Sequence, residues 1–144
     1  MAMVQGILAA KGRQVVTIGS EESVLSAANV MNDHGIGGLV VTDGDRVAGI
    51  FTERDMLRRV VAARLDPATT RVREVMTAPV ATCRPDTMLA ECRAFMTEKR
   101  IRHLPVVDEK GLCGIVTSGD LLAREVTEHE ATIEYLNHYI HGVR

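Results

Sequence analysis

The chain has 144 residues, 46% hydrophobic and 25% charged, with a formal charge of -2 and a pI near 6.2. That length suits one ordinary domain or two small ones sharing a core, and the composition is that of a globular chain. Aromatics make up only 3% with no Trp, so neither a basic footprint nor a stacking platform for nucleic acid is present.

In chain order, Val4 to Ala10 reads as a short apolar helix stopped by Lys11-Gly12. It lacks a basic leader and a cleavage pattern, and no stretch approaches the roughly 18 apolar residues that span a bilayer. Val15 to Ile18 is a brief β-branched strand. Ser20 is expected to cap a helix with Glu21 and Glu22 in its first turn, and Val24, Ala27, Ala28 and Met31 form its apolar face. Gly35 to Gly38 ends it. Leu39 to Thr42 and Arg46 to Phe51 are strands joined by an Asp43-Gly44-Asp45 hairpin turn. Thr52 then opens a helix through Met56, Leu57 and Val60 to about Arg64.

Residues 66–70 form a linker, and 70–76 lead into a second series of elements. Val80 to Thr82 is its first strand, and Pro85-Asp86 starts a helix carrying Leu89, Cys92, Phe95 and Met96. Ile101 to Val107 is the next strand, Asp108 to Gly111 a turn, and Leu112 to Val116 the return strand. A last helix continues from Leu121. Beyond it, Ile133, Leu136, Tyr139 and Ile140 share one face of an amphipathic tail suited to pack on its own domain or on a partner. Cys83, Cys92 and Cys113 are an odd set without CxxC spacing, so a reducing cytoplasm is expected and neither a disulfide framework nor a zinc site.

The second series repeats the first. Gly49-Ile50-Phe51-Thr52-Glu53-Arg54-Asp55 returns as Gly114-Ile115-Val116-Thr117-Ser118-Gly119-Asp120, an offset of 65 that carries Thr52 to Thr117. At the same offset and without a gap, Thr17 meets Thr82, Met31 meets Met96, Ile36 meets Ile101, and Leu39, Val41 and Asp43 meet Leu104, Val106 and Asp108. A repeat of this size is one supersecondary unit that buries its apolar face against its copy.

The phrase has chemistry of its own. Thr52 stands where a strand ends and a helix begins, so its hydroxyl and the first backbone N–H groups of the helix face the same space, a place for a phosphate. Asp55, one turn on, offers two acceptors to a vicinal diol. Gly49 removes a side chain where backbone and ligand can approach closely. The plainer reading is a capping box in which Asp55 bonds back toward Thr52, and the two readings can coexist.

The duplicated phrase, the strand Ile101-Arg102-His103-Leu104-Pro105-Val106-Val107-Asp108 and the lead-in Val72-Arg73-Glu74-Val75-Met76-Thr77 together resemble the cystathionine beta-synthase (CBS) domain. From about Val4 to Val126 the chain resembles one tandem pair, the Bateman module. The resemblance implies an α/β (α+β) fold: two βαββα copies about a pseudo-two-fold axis, with short N- and C-terminal helices. Copy one with the N-terminal helix would span 4–66, copy two 70–127, and the tail 128–144. It also implies regulatory binding of an adenine nucleotide between the copies, foremost AMP, with ADP, ATP or NAD(H) as competitors. No required cofactor and no metal are implied. A homodimer and an unnamed protein effector are, and no nucleic acid or membrane.

Carried over by the resemblance, cleft one would use Thr52, Arg54 and Asp55 with Thr82, Ile101, Arg102 and His103. Cleft two would use Thr117 and Asp120 with Thr17, Ile36, Gly37 and Gly38. Adenine would lie on strand backbone, ribose on Asp and phosphate near Thr. Cleft one carries Arg54, Arg102 and His103 where cleft two has Gly119, Gly37 and Gly38, so it is expected to hold phosphate better. A surface ion pair for Arg102 and a packed, hydrogen-bonded ring for His103 are the plainer readings.

No Ser-His-Asp set, Walker loop or paired catalytic carboxylates occur, so no catalytic residue is expected. No catalytic or channel segment lies within these 144 residues. His129, His138 and His141 read as a solvated helix face. The competing functional class is a structural or adaptor protein that uses the fold without ligand.

Overall fold

The structure, a computed structural model, describes residues 2–125. The expected tail at 128–144 lies outside them. Helix α1 (Val4–Lys11) leads to β1 (Thr17–Gly19), α2 (Val24–His34) and the hairpin β2 (Gly38–Asp43) and β3 (Arg46–Thr52). One α-helical turn, α3 (Glu53–Asp55), runs on as a π-helix over Met56–Val61. The second half comprises α4 (Val72–Val75), α5 (Leu89–Lys99), β4 (His103–Asp108), β5 (Gly111–Thr117) and a final helix α6 over 118–125.

Strand order in the first sheet is β1-β2-β3, with β1 parallel and β3 antiparallel to β2. The second sheet holds β4 and β5 antiparallel. The repeat is visible in the register itself. Ile18 pairs with Val41 as Cys83 pairs with Val106, and the hairpins slip at Val41/Thr42 and Val106/Val107. The strand expected at Val80 to Thr82 contracts to that single bridge, held by Cys83 N–H to Pro105 O and Val107 N–H to Cys83 O, both 2.9 Å. Pro79 and Pro85 flank it, and neither has an N–H to extend the ladder.

Helix starts also differ from expectation. Ser23, not Ser20, caps α2 by accepting from the Ser26 N–H at 3.0 Å. Ser20 is buried and bonded through its backbone to Thr42 and Arg73. Helix α5 begins at Leu89 because Arg84 to Thr87 close a turn first, and Met88 offers no side-chain cap. Its first donor, Leu89 N–H, goes to Ala2 O instead, just as Val24 N–H of α2 goes to Thr70 O. Orphan helix-start donors are thus satisfied by segments from elsewhere in the chain. The helix expected to reach Arg64 stops at Val61, and Arg64 has φ 60.

Those segments reveal an exchange. Val4, Ile7 and Leu8 of α1 are buried with Cys83, Leu89, Cys92, Met96, Leu104 and Val116, the core of the second repeat. Val72 and Val75 of α4 are buried with Val24, Leu39, Phe51 and Val60, the core of the first. Each lead-in helix therefore packs on the repeat it does not introduce, although α1 adjoins the first repeat along the chain. Burying an aliphatic side chain of this size contributes about 1.5–3 kcal/mol, so α1 is an integral part of the second core.

The repeated glycines serve this exchange. A Cβ on Gly49 would lie 2.7 Å from Thr77 O and 2.8 Å from Met76 Sδ, and one on Gly114 2.6 Å from Leu8 Cδ2. The space that the sequence suggested for a ligand beside Gly49 is occupied by the segment following α4. Thr77 and Ile50 also exchange backbone hydrogen bonds there, at 2.8 and 3.0 Å.

Candidate ligand cleft between the repeats

Thr52 has extended backbone (φ -123) and ends β3, so its side chain turns over the first turn of α3. Thr52 N–H donates to Asp55 Oδ2 at 3.0 Å, and Asp55 N–H to Thr52 Oγ1 at 3.3 Å, which is a capping box. The other carboxylate oxygen of the buried Asp55 accepts from Thr77 Oγ1 at 3.0 Å, with Arg59 Nε 3.7 Å away. Arg59 also donates to Met76 O at 2.9 Å. Asp55 thus ties the start of α3 to the segment after α4.

The second copy repeats the box, Thr117 N–H to Asp120 Oδ2 at 2.9 Å and Asp120 N–H to Thr117 Oγ1 at 3.1 Å. Its outer partner differs: Lys11 Nζ, from the exchanged α1, meets Asp120 Oδ2 at 2.7 Å.

A cavity of about 900 Å³ opens between the repeats. Thr52, Arg54 and Asp55 line it from the first copy, and Ile101, Arg102 and His103 from the second. The gathering of these six matches the expected cleft one. Thr82, the seventh, is exposed and outside the lining, where Val80 and Ala81 stand instead. With a single bridge in place of a strand, the backbone turns only its earlier residues toward the cavity.

The six positions expected in cleft two are more scattered. Gly37 and Thr117 line the same cavity as cleft one, and Ile36 lines a shallower groove beside α2 and the π-helix. Gly38 is buried, Thr17 is exposed on β1, and Asp120 holds Lys11.

Gly38 and His103 meet directly. A Cβ on Gly38 would sit 3.0 Å from Cε1 and Nε2 of His103, and these two residues match one another at the repeat offset. Where pseudo-symmetry brings the same position of both copies together, there is room for one side chain. Burial holds His103 below the ordinary imidazole range, Glu53 opposes this and Arg102 reinforces it. The ring is therefore held toward its neutral form, a hydrogen-bonding group more than a counter-charge for phosphate.

The cavity also has cations that the sequence reading did not select: Arg58, Arg59, Lys99 and Arg100. A signal for Arg58 was present, because it lies four residues from Arg54 on one helix face. Nothing local marks Lys99 or Arg100, which reach the cleft because α5 ends at its rim. Val80, Ala81, Phe95 and Ile101 supply an apolar part of the lining. The chemistry suits a ligand with a flat apolar portion and an anionic end. Among the described residues, no group of three or more His, Cys, Asp or Glu side chains is placed to hold a metal. Cys83 is buried, and its thiol is pushed up by a hydrogen bond with Cys92 and by desolvation, which disfavours thiolate chemistry.

The CBS domain profile matches residues 11–62 and again 72–126, most of the chain. The chain belongs to the CBS-domain family. A solved structure of a putative signal-transduction protein with CBS domains from Burkholderia ambifaria shares 43% identity and superposes with a TM-score of 0.85, covering 88% of this chain and 95% of that one. The mitochondrial CBS domain-containing protein CBSX3 of Arabidopsis thaliana is 36% identical over 85% of this chain, which spans 62% of that plant protein's length. A hexameric CBS-CP12 protein from bloom-forming cyanobacteria shares 31% identity with a TM-score of 0.74, over 85% of this chain and 70% of that one. Tandem CBS proteins are generally regulatory modules that take adenosyl ligands. Among the described residues no helix is long and apolar enough to cross a membrane.

Proposed function

We propose that this chain is a regulatory module that binds an adenine nucleotide, AMP, ADP, ATP or NAD(H), in the cleft between its two CBS repeats and performs no catalysis itself. The observation that carries the reading is the cavity that brings Thr52, Arg54 and Asp55 of one copy to Ile101, Arg102 and His103 of the other. Adenine would lie against Val80, Ala81 and Ile101, and the phosphate end among the arginines. Occupancy would favour whichever arrangement of the repeats binds better, and so inform a protein effector. Buried, unbridged Cys83 and Cys92 fit a reducing compartment such as the cytoplasm.

A homodimer is part of this reading. Leu57 and Leu122, matched at the repeat offset, are 62% and 60% exposed, with Val61 beside Leu57 at 61%. Exposed leucines at matched positions of the two repeats suit a partner with the same pseudo-symmetry, a second copy of the chain.

The test is titration calorimetry with AMP, ADP, ATP, NADH and S-adenosylmethionine on the wild type and on Arg102→Ala, an exposed position. Saturable binding to the wild type, weakened for phosphate-bearing ligands in the variant, is expected. Absence of binding for all five favours the adaptor reading, which has its own support: both Thr-x-x-Asp phrases form capping boxes that need no ligand.

A further inference from the structure

The duplication supplies an internal control for the cleft's charge. Arg54, Arg58, Lys99, Arg100 and Arg102 line the cavity. At the repeat offset they are matched by Gly119, Ala123, His34, Gly35 and Gly37, none of them Lys or Arg, whereas the sixth cation of the lining, Arg59, is matched by Arg124. The fold is built twice but these five cations once, so packing alone does not call for them.

Arg100 is the most telling. Helices α2 and α5 both have 11 residues and end in the same way. Gly35 has φ 63 and ψ 38, Arg100 φ 55 and ψ 43, and each donates its N–H to the residue three back at 3.3 Å. This left-handed cap is glycine's conformation, and the first copy has glycine there. An arginine in the same place is strained, and strain of this kind collects at functional sites. Its carbonyl also accepts Arg54 Nη1 from the other repeat at 3.2 Å, so two arginines meet at one rim.

We propose that this cleft selects a polyphosphate chain over a single phosphate and that Arg100 is a specificity-determining residue for it. The proposal rests on the adenine-nucleotide reading for the rest of the ligand. A monophosphate brings about two negative charges, too few to engage five cations from two repeats. Glu53 and Asp55 are the carboxylates in the lining, and Asp55 is already engaged by Thr52, Thr77 and Arg59. A nucleoside triphosphate brings the further charge and oxygens for charge-assisted bonds from both sides.

The experiment is titration calorimetry well below the unfolding temperature, with AMP, ATP and inorganic tripolyphosphate, on wild type, Arg100→Gly and Arg58→Ala. The wild type is expected to bind ATP about tenfold or more tighter than AMP. Arg100→Gly is expected to weaken ATP by about tenfold and AMP by little, while raising Tm by roughly 2 °C through relief of the cap. Lost binding then cannot be lost folding. Arg58→Ala is expected to weaken ATP without the gain in Tm. Equal affinity for AMP and ATP, or Arg100→Gly binding ATP as the wild type does, would overturn the proposal and leave the adenine reading standing. Tripolyphosphate binding as tightly as ATP would uphold the polyphosphate site and remove the adenine reading. No binding of any of the three would sink both.

Discussion

Asp55 is both a cap and a candidate ligand acceptor, and the cap decides how it must be tested. Its carboxylate holds Thr52 N–H and Thr77 Oγ1 from a buried position. Asp55→Ala should therefore cost about 2 kcal/mol without any ligand, a Tm lower by roughly 5–8 °C in a scan. Asp120→Ala, at a half-exposed position with Lys11 as its outer partner, should cost about half as much. Equal costs would mean that the Thr77 bond contributes nothing. His103 gives a pH signature. Glu53, Arg102, Lys11 and Asp120 act on it, but burial dominates and depresses its folded pKa below the unfolded value of 6.5. The unfolded chain then takes a proton that the folded one resists, so this contribution is complete above about 6.5 and falls as pH drops toward the folded pKa. The urea midpoint should decline as pH falls through and below about 6.5, and less so in His103→Gln; an unchanged slope in that variant would assign the decline to other groups.

At the scale of elements, the lead-in helices and the repeated glycines are two halves of one device. Leu8 is 1% exposed and its Cδ2 lies where a Cβ on Gly114 would go. Gly114→Ala should destabilise by about 1–3 kcal/mol and Leu8→Ala by about 2–5 kcal/mol. The pair should be non-additive, because Leu8→Ala vacates the space that the new methyl needs. Chemical denaturation of the two single variants and the double variant measures this coupling, and simple additivity would remove the contact from the account. Gly49→Ala should be less forgiving, since it meets the Thr77 carbonyl as well as a Met side chain. The misplaced elements share a cause. The starts of α2 and α5 and the contracted strand at Cys83 all make hydrogen bonds to distant segments, such as Val24 to Thr70, Leu89 to Ala2 and Cys83 to Pro105. Local pattern carries no information on those partners.

For the whole molecule, the exchange makes each core depend on a helix from the other side of the chain. Repeat two cannot close its core without Val4, Ile7 and Leu8, nor repeat one without Val72 and Val75. Calorimetry should therefore show one unfolding transition with matching calorimetric and van't Hoff enthalpies. Two resolved transitions would mean that the repeats stand alone despite the shared helices. The same arrangement couples the cleft to the fold, because Asp55 and Arg59 hold Met76 and Thr77, which lead from α4 into the second repeat.

The duplication, its offset, the hairpins and the family were legible in the residues alone. They rest on periodicity, on glycine and aspartate turn chemistry and on a phrase said twice, all local along the chain. Six of the seven positions that the CBS resemblance assigned to cleft one line one cavity. Which lead-in helix enters which core was decided only in three dimensions, as were the true purpose of Gly49, the meeting of Gly38 with His103, and the arrival of Lys99 and Arg100 at the rim. These depend on contacts between residues far apart along the chain, brought together by burial of apolar surface that has no preferred sequence partner.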